Sequence, residues 1–154
     1  MSLELRPVTV ENWNSLIKLK VREDQKNFVA SNLYSIAEAQ FGFEEEGHWN
    51  LLPFGLYMHD EPVGFAMTGL NYAHSHFQGL IVRLMVDEKY QGRGYGRSAM
   101  EWMLTTFRAD ESVHVVCITY EPDNDPARKL YASLGFEETG EFMENEVVAL
   151  LRLR

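Results

Sequence analysis

Residues 79–104 read "GLIVRLMVDEKYQGRGYGRSAMEWML". The opening run, Gly79 to Val86, is too continuously apolar for a half-exposed strand and suits a central strand covered on both faces. From Gly96 onward, Ala99, Met100, Met103, Leu104 and Phe107 recur at three- and four-residue steps, which predicts an amphipathic helix of about four turns. Between strand and helix lie Gly92, Gly94 and Gly96. A helix N-terminus carries unpaired N–H groups and a partial positive charge, so glycines that let backbone come close make it an anion seat. The spacing is neither the G-x-G-x-x-G of a dinucleotide site nor a Walker loop, because Gly96 is followed by Arg97 and Ser98. A glycine turn that merely reverses the chain is the alternative.

Working outward, "LELRPVT" (3–9) alternates like an edge strand, where Pro7 is tolerated. "VENWNSLIKLKV" (10–21) has helical spacing, and Ser31 can cap a second helix running to about Gln40. "FEEEGHWNLLP" (43–53) reads as a loop, and "FGLYMHDEPVGFAMTGLNY" (54–72) as a hairpin turning at His59, Asp60, Glu61 and Pro62. "ESVHVVCITY" (111–120) is a further buried strand. "NDPARKLYASLGF" (124–136) is a helix with an Asn or Asp cap, Pro126 in its first turn and Gly135 at its end. "FEETGEFMENEVVALLRL" (136–153) supplies a strand, a turn and a last strand. The expected fold class is α/β (α+β): a mixed, mostly antiparallel sheet of about seven strands with about four helices on its faces. No repeat, low-complexity tract or linker divides residues 1–154, so a single domain is expected.

The chain is acidic, with 23 Asp and Glu against 14 Lys and Arg and a formal charge of −9. That disfavours a nucleic-acid partner, whose phosphates need clustered cations, and favours cationic small molecules. One cysteine, Cys117, rules out an internal disulfide and reads as a structural thiol in a core strand. No apolar run reaches the ~20 residues of a membrane helix, and the N-terminus lacks a leader pattern, so no membrane partner and a cytoplasmic location are expected.

"VDEKYQGRGYGRSAM" together with "NDPARKLYASLGF" resembles the two core motifs of the GNAT N-acetyltransferase superfamily over roughly residues 53–140. The resemblance implies the GNAT fold with splayed central strands, acetyl-CoA as donor and an amine as acceptor. It implies that Gln91, Gly92, Arg93, Gly94, Tyr95, Gly96 and Arg97 form the loop whose amides hold the CoA pyrophosphate. Leu84, Met85 and Val86 match the strand whose backbone meets the pantetheine arm and acetyl carbonyl. Asn124 matches the side chain contacting the cofactor arm, and Tyr131 the catalytic residue beside the thioester sulfur. A departing thiolate wants a proton, and a phenol of reference pKa about 10 stays protonated at neutral pH to offer one.

The acceptor side, "LKVREDQKNFVASNLYSIAEAQF" (19–41), is similar to bacterial spermine/spermidine (diamine) N-acetyltransferases through Val21, Gln25, Phe28, Val29 and Ser31. That likeness implies a polyamine substrate. Other amines (a protein N-terminus, an amino acid, an aminoglycoside) and a non-catalytic CoA sensor remain alternatives. A polyamine needs carboxylates spaced along a groove. The candidates are Glu23 and Asp24 first, then Glu38 and the run Glu44, Glu45 and Glu46, with Tyr34, Trp49 or Tyr72 as aromatic faces for a cation. Arg83 can pair with one of these carboxylates. His74 and His76 in "AHSHF" read as exposed strand-end histidines; no third ligand suggests itself, so no metal is expected and no base is assigned. A homodimer is the assembly that the family resemblance implies.

Overall fold

The computed structural model describes residues 2–154. Its strands are β1 (Glu4–Pro7), β2 (Phe43–Glu44), β3 (His48–Met58), β4 (Glu61–Leu70), β5 (Gly79–Val86), β6 (Val115–Tyr120), β7 (Glu137–Met143) and β8 (Glu146–Arg152). The α-helices are α1 (Trp13–Leu16), α2 (Asn32–Ala39), α3 (Tyr95–Ala109) and α4 (Asp125–Ser133). The sheet order is β1-β3-β4-β5-β6-β8-β7, with β2 paired to β3. Only β5 and β6 run parallel, joined by the α3 crossover. This is the mixed, mostly antiparallel sheet with four helices expected from the sequence, plus one short strand.

Both faces of the sheet are covered, which explains why its central strands read as unbroken apolar runs. In β6, Val116 and Ile118 face the core under α3 and α4, while Cys117 faces a second core that includes Leu19, Val29 and Ile36 of the N-terminal segment. β8 alternates in the same way, Val147, Ala149 and Leu151 against Val148 and Leu150. Cys117 is fully buried, and desolvation pushes its thiol up to about 12, as suits a structural residue. The two tight hairpins turn on residue pairs of positive φ, His59–Asp60 and Glu144–Asn145, the form whose twist matches the flanking strands.

Two segments depart from the sequence reading. The helix expected across residues 10–21 is a single turn, Trp13–Leu16. Its continuation is lost to tertiary bonds: the Lys20 N–H donates to the Asp87 carboxylate at 2.9 Å, and the Lys20 carbonyl accepts from Glu88 N–H at 2.8 Å. With its backbone groups satisfied by the end of β5, this stretch gains nothing from helical pairing. Residues 43–53, expected as a loop, fold as the β2–β3 hairpin, turning through Glu46 and Gly47 with φ of 52° and 111°. Ser31 caps α2 as anticipated, its hydroxyl accepting from Tyr34 N–H at 3.1 Å.

The feature that prepares the site is the way β5 leaves β6. The two strands pair only at Gly79–Val116, Leu80–Cys117 and Ile81–Ile118. On the other edge β5 stays with β4, where Val82 is bulged out of register between the pairs Thr68–Ile81 and Met67–Arg83. Close β4–β5 contact past the bulge requires Gly64, since a Cβ there would sit 2.4 Å from the Met85 carbonyl oxygen. Gly64→Ala is therefore expected to destabilise the fold by about 1–3 kcal/mol. Chemical denaturation measures this, and an unchanged midpoint would show that the strands are not held this tightly.

Candidate active site

Beyond Ile81, the β6-facing edge of β5 is free, and the gap opens into a cleft of about 510 Å³. Leu84, Met85 and Val86 form one wall, Gly92, Gly94 and Gly96 one end, Asn124 and Tyr131 the far side, and Asp24, Gln25, Phe28 and Val29 the opposite rim. The glycine corner, the unpaired strand edge and the tyrosine, separated widely in sequence, thus share one space.

The corner has the geometry of an anion seat. Gly92 and Gly94 take φ of 77° and 81°, and a Cβ at either would meet nothing within 4 Å, so their peptide groups border open space. Gly94 is the N-cap of α3 and brings no capping side chain. The first helical bond is Ser98 N–H to Gly94 carbonyl, which leaves the Tyr95, Gly96 and Arg97 amides without helical acceptors. A diphosphate fits this donor set. Arg93 stacks over Tyr90 at 5.5 Å, whereas Arg97 turns away from the seat, donating to Ser133 Oγ at 2.5 Å. Gln91 acts by its side chain: Nε2 donates to the Val86 carbonyl at 2.9 Å and to Gln25 Oε1 at 2.8 Å. Asn124 lines the cleft while its carboxamide oxygen caps α4 at Ala127 N–H.

Tyr131 packs its ring against Tyr120 and Phe136, with centroids 5.4 and 6.2 Å apart. Tyr72, Tyr90 and Tyr120 each give their hydroxyl to a carboxylate, but the Tyr131 hydroxyl has no such partner among the described residues. Burial, with smaller contributions from Tyr120 and Glu146, pushes its phenol up to about 12. Glu146 is a residue the sequence reading missed. At the start of β8 it accepts from Thr119 Oγ1 at 2.8 Å, close enough to Tyr131 for its charge to be felt there. No motif marks it; only the β6–β8 pairing brings it here.

The proposed acceptor residues disperse. Asp24 lines the cleft, paired with Arg22 at 3.2 Å, and is the one carboxylate among the lining residues. Glu23 points away and binds Lys26 Nζ at 2.6 Å. Glu38 is taken by Arg83 at 3.0 Å, the pairing anticipated for that arginine. Arg83 Nε is nevertheless buried without a partner among the described residues. Of the aromatic candidates, Trp49 is fully buried in the core and cannot face a cation; Tyr34 and Tyr72 are exposed outside the cleft.

The run Glu44–Glu46 is not a solvated groove wall either. Glu44 pairs with His48, Glu45 with His74 at 3.0 Å, and Glu46 with Ser75 Oγ at 2.7 Å. His74 is buried rather than exposed, correcting the sequence reading. Glu45, Glu46 and His74 lie close enough to suggest a cation site. However, His74 Nδ1 accepts from the His76 and Phe77 amides at 3.2 and 3.1 Å, so the ring proton sits on Nε2 and is directed at Glu45 and Glu46. With that nitrogen donating, the cluster is a hydrogen-bonded tie between the β2–β3 turn and the β4–β5 loop.

Comparison with known proteins bears on the fold and the family. The spermine/spermidine N(1)-acetyltransferase of Bacillus subtilis (strain 168) is 28% identical over 145 residues, covering 92% of this chain and 91% of that protein. Among solved structures, an aminoglycoside acetyltransferase in complex with coenzyme A superposes with a TM-score of 0.76 at 17% identity, covering 98% of this chain and 95% of that one. The spermidine N-acetyltransferase of Vibrio cholerae, in complex with CoA and spermine, gives 0.72 at 17% identity, covering 99% and 96%. The profile of the acetyltransferase (GNAT) family matches residues 13–136, a span that includes the strand edge, the glycine corner and Tyr131, and the chain belongs to that family.

Proposed function

We propose that the protein transfers the acetyl group of acetyl-CoA directly to a primary amine of a polyamine such as spermidine or spermine. The observation that carries the reading is the single cleft lined by an amide-rich corner, an unpaired strand edge and a buried phenol. In this reading the Tyr95–Arg97 amides and the glycine corner bind the diphosphate. The backbone of Leu84–Val86 extends along the pantetheine arm and polarises the thioester carbonyl. Asn124 contacts the same arm through the amide nitrogen left free by its capping role.

Tyr131 serves the departing sulfur as a hydrogen-bond donor. A phenol near 12 facing a thiol of about 8.5 makes outright proton transfer from it uphill by roughly 5 kcal/mol, so its contribution is to stabilise the developing thiolate, which takes up by way of solvent the proton that the attacking amine gives up. Asp24 at the rim and Glu146 beside Tyr131 are the carboxylates for a cationic acceptor. Support for a polyamine comes from the near full-length similarity to a spermine/spermidine N(1)-acetyltransferase and from the net charge of −9. The assembly that the family resemblance favours is a homodimer.

A thiol-release assay with acetyl-CoA and an amine panel tests the proposal: turnover with spermidine or spermine is expected. Turnover confined to aminoglycosides, amino acids or peptide N-termini would overturn the acceptor, and binding of CoA without any turnover would overturn catalysis. Tyr131→Phe keeps the ring packing and removes the donor, so kcat is expected to fall by about a hundredfold at unchanged melting temperature. Unaltered turnover would remove Tyr131 from the mechanism.

The pH profile carries a separate expectation. The neutral phenol is the active form and its pKa is raised, so its contribution is full below about pH 10 and is lost only as pH climbs through about 12. The amine must be unprotonated to attack, so kcat/KM for the amine should rise with pH towards the amine pKa of about 10 with no descending limb before it. A fall beginning near pH 8 would contradict a buried, neutral Tyr131.

A further inference from the structure

The donor corner and the opposite rim of the cleft are not independent walls. Two hydrogen-bonded ties join them. The deeper one is Asp87, 4% exposed, whose carboxylate accepts from Lys20 N–H at 2.9 Å and Lys89 N–H at 3.1 Å. The other lies at the rim. Gln25 Oε1 accepts from Arg22 N–H at 3.2 Å and from Gln91 Nε2 at 2.8 Å, and Gln91 Nε2 also donates to the Val86 carbonyl at 2.9 Å. Both carboxamides have their orientation fixed by backbone: only oxygen can accept from the Arg22 amide, and only nitrogen can donate to the Val86 carbonyl. The rim tie is neutral and only partly buried, and it hangs from the residue that opens the anion seat.

The geometry points to Gln25 as a positioning residue that couples the two halves of the cleft. Occupation of the seat by the CoA diphosphate orders the backbone at Gln91. Through its side chain, Gln91 holds Gln25, and Gln25 holds the rim from Arg22 to Val29 in the form that receives the amine. The first ligand bears the ordering cost of this ladder, and the second binds to a rim already ordered. By linkage each ligand then tightens the other by one common factor. The inference rests on the donor reading proposed above. Gln25 lies outside both apolar cores, so its replacement spares the packed interior and acts only on the ladder and on the turn that Gln25 caps at Arg22 N–H.

Calorimetry separates the possibilities. The dissociation constant of spermidine is measured on free protein and on protein saturated with CoA, which cannot turn over. CoA is expected to tighten spermidine binding about fivefold or more in the wild type. Gln25→Ala should bring that ratio close to one at an unchanged melting temperature. Gln25→Glu keeps an acceptor oxygen for both donors and should keep the wild-type ratio. A residue that only shapes the rim would weaken the amine equally with and without CoA and leave the ratio untouched. That result, a wild-type ratio of one, or Gln25→Glu behaving like Gln25→Ala would overturn the coupling. Absence of CoA binding to wild type would overturn the donor reading and this inference with it. If another amine of the panel is the one turned over, it takes the place of spermidine in the same measurement, so a failed acceptor assignment leaves the coupling decided on its own.

Discussion

After Ile81 pairs with Ile118, β5 and β6 part, and the backbone of residues 82–86 keeps a partner strand on one edge only. Buried peptide groups do not stay unpaired without cost, so the exposed edge needs something to bond. The fold answers in part by returning the Gln91 side chain to the Val86 carbonyl. The remaining edge faces the cleft, where a ligand with its own donors and acceptors can complete it. The parting is fixed from both sides: the Val82 bulge turns the strand, Gly64 lets β4 follow it closely, and Asp87 fastens its end to Lys20.

The chemistry of the cleft follows from what surrounds that opening. Residues 87–94 carry the chain from β5 into α3, whose first residues, Tyr95 and Gly96, line the same cleft as the free strand edge. α4 crosses from the far side and carries Tyr131 on its buried face, against Tyr120. Tyr120 is itself held by Glu138, which also binds Arg128 at 2.8 Å. The phenol thus sits on a supported aromatic floor, and its hydroxyl has no carboxylate partner among the described residues.

Charge is distributed in a way that composition does not reveal. Much of the acidic excess near the N-terminal half is bound up in local ties: Glu38 with Arg83, Glu44 with His48, and Glu45 and Glu46 with His74 and Ser75. Asp24, itself paired with Arg22, is the one carboxylate lining the cleft, and Glu146 acts on Tyr131 through its charge. A net charge of −9 sets up a long-range field that draws cations towards the molecule.

The sequence by itself determined the order of the elements other than β2, the central strand at residues 79–86, the core face of α3, the cap and Pro126 of α4, and the place of the glycine corner between β5 and α3. These are written in local periodicity and in residue types whose backbone preferences act over a few positions. Only the tertiary structure decided the short α1, the β2–β3 hairpin, the burial of His74 and Trp49, and which carboxylates reach the cleft. For α1, His74 and Glu146 the deciding partner lies far along the chain: Asp87 for Lys20, Glu45 for His74 and Thr119 for Glu146. A side chain's pattern shows which face of an element it occupies, while its availability for chemistry depends on whether a distant group has already taken its hydrogen bonds.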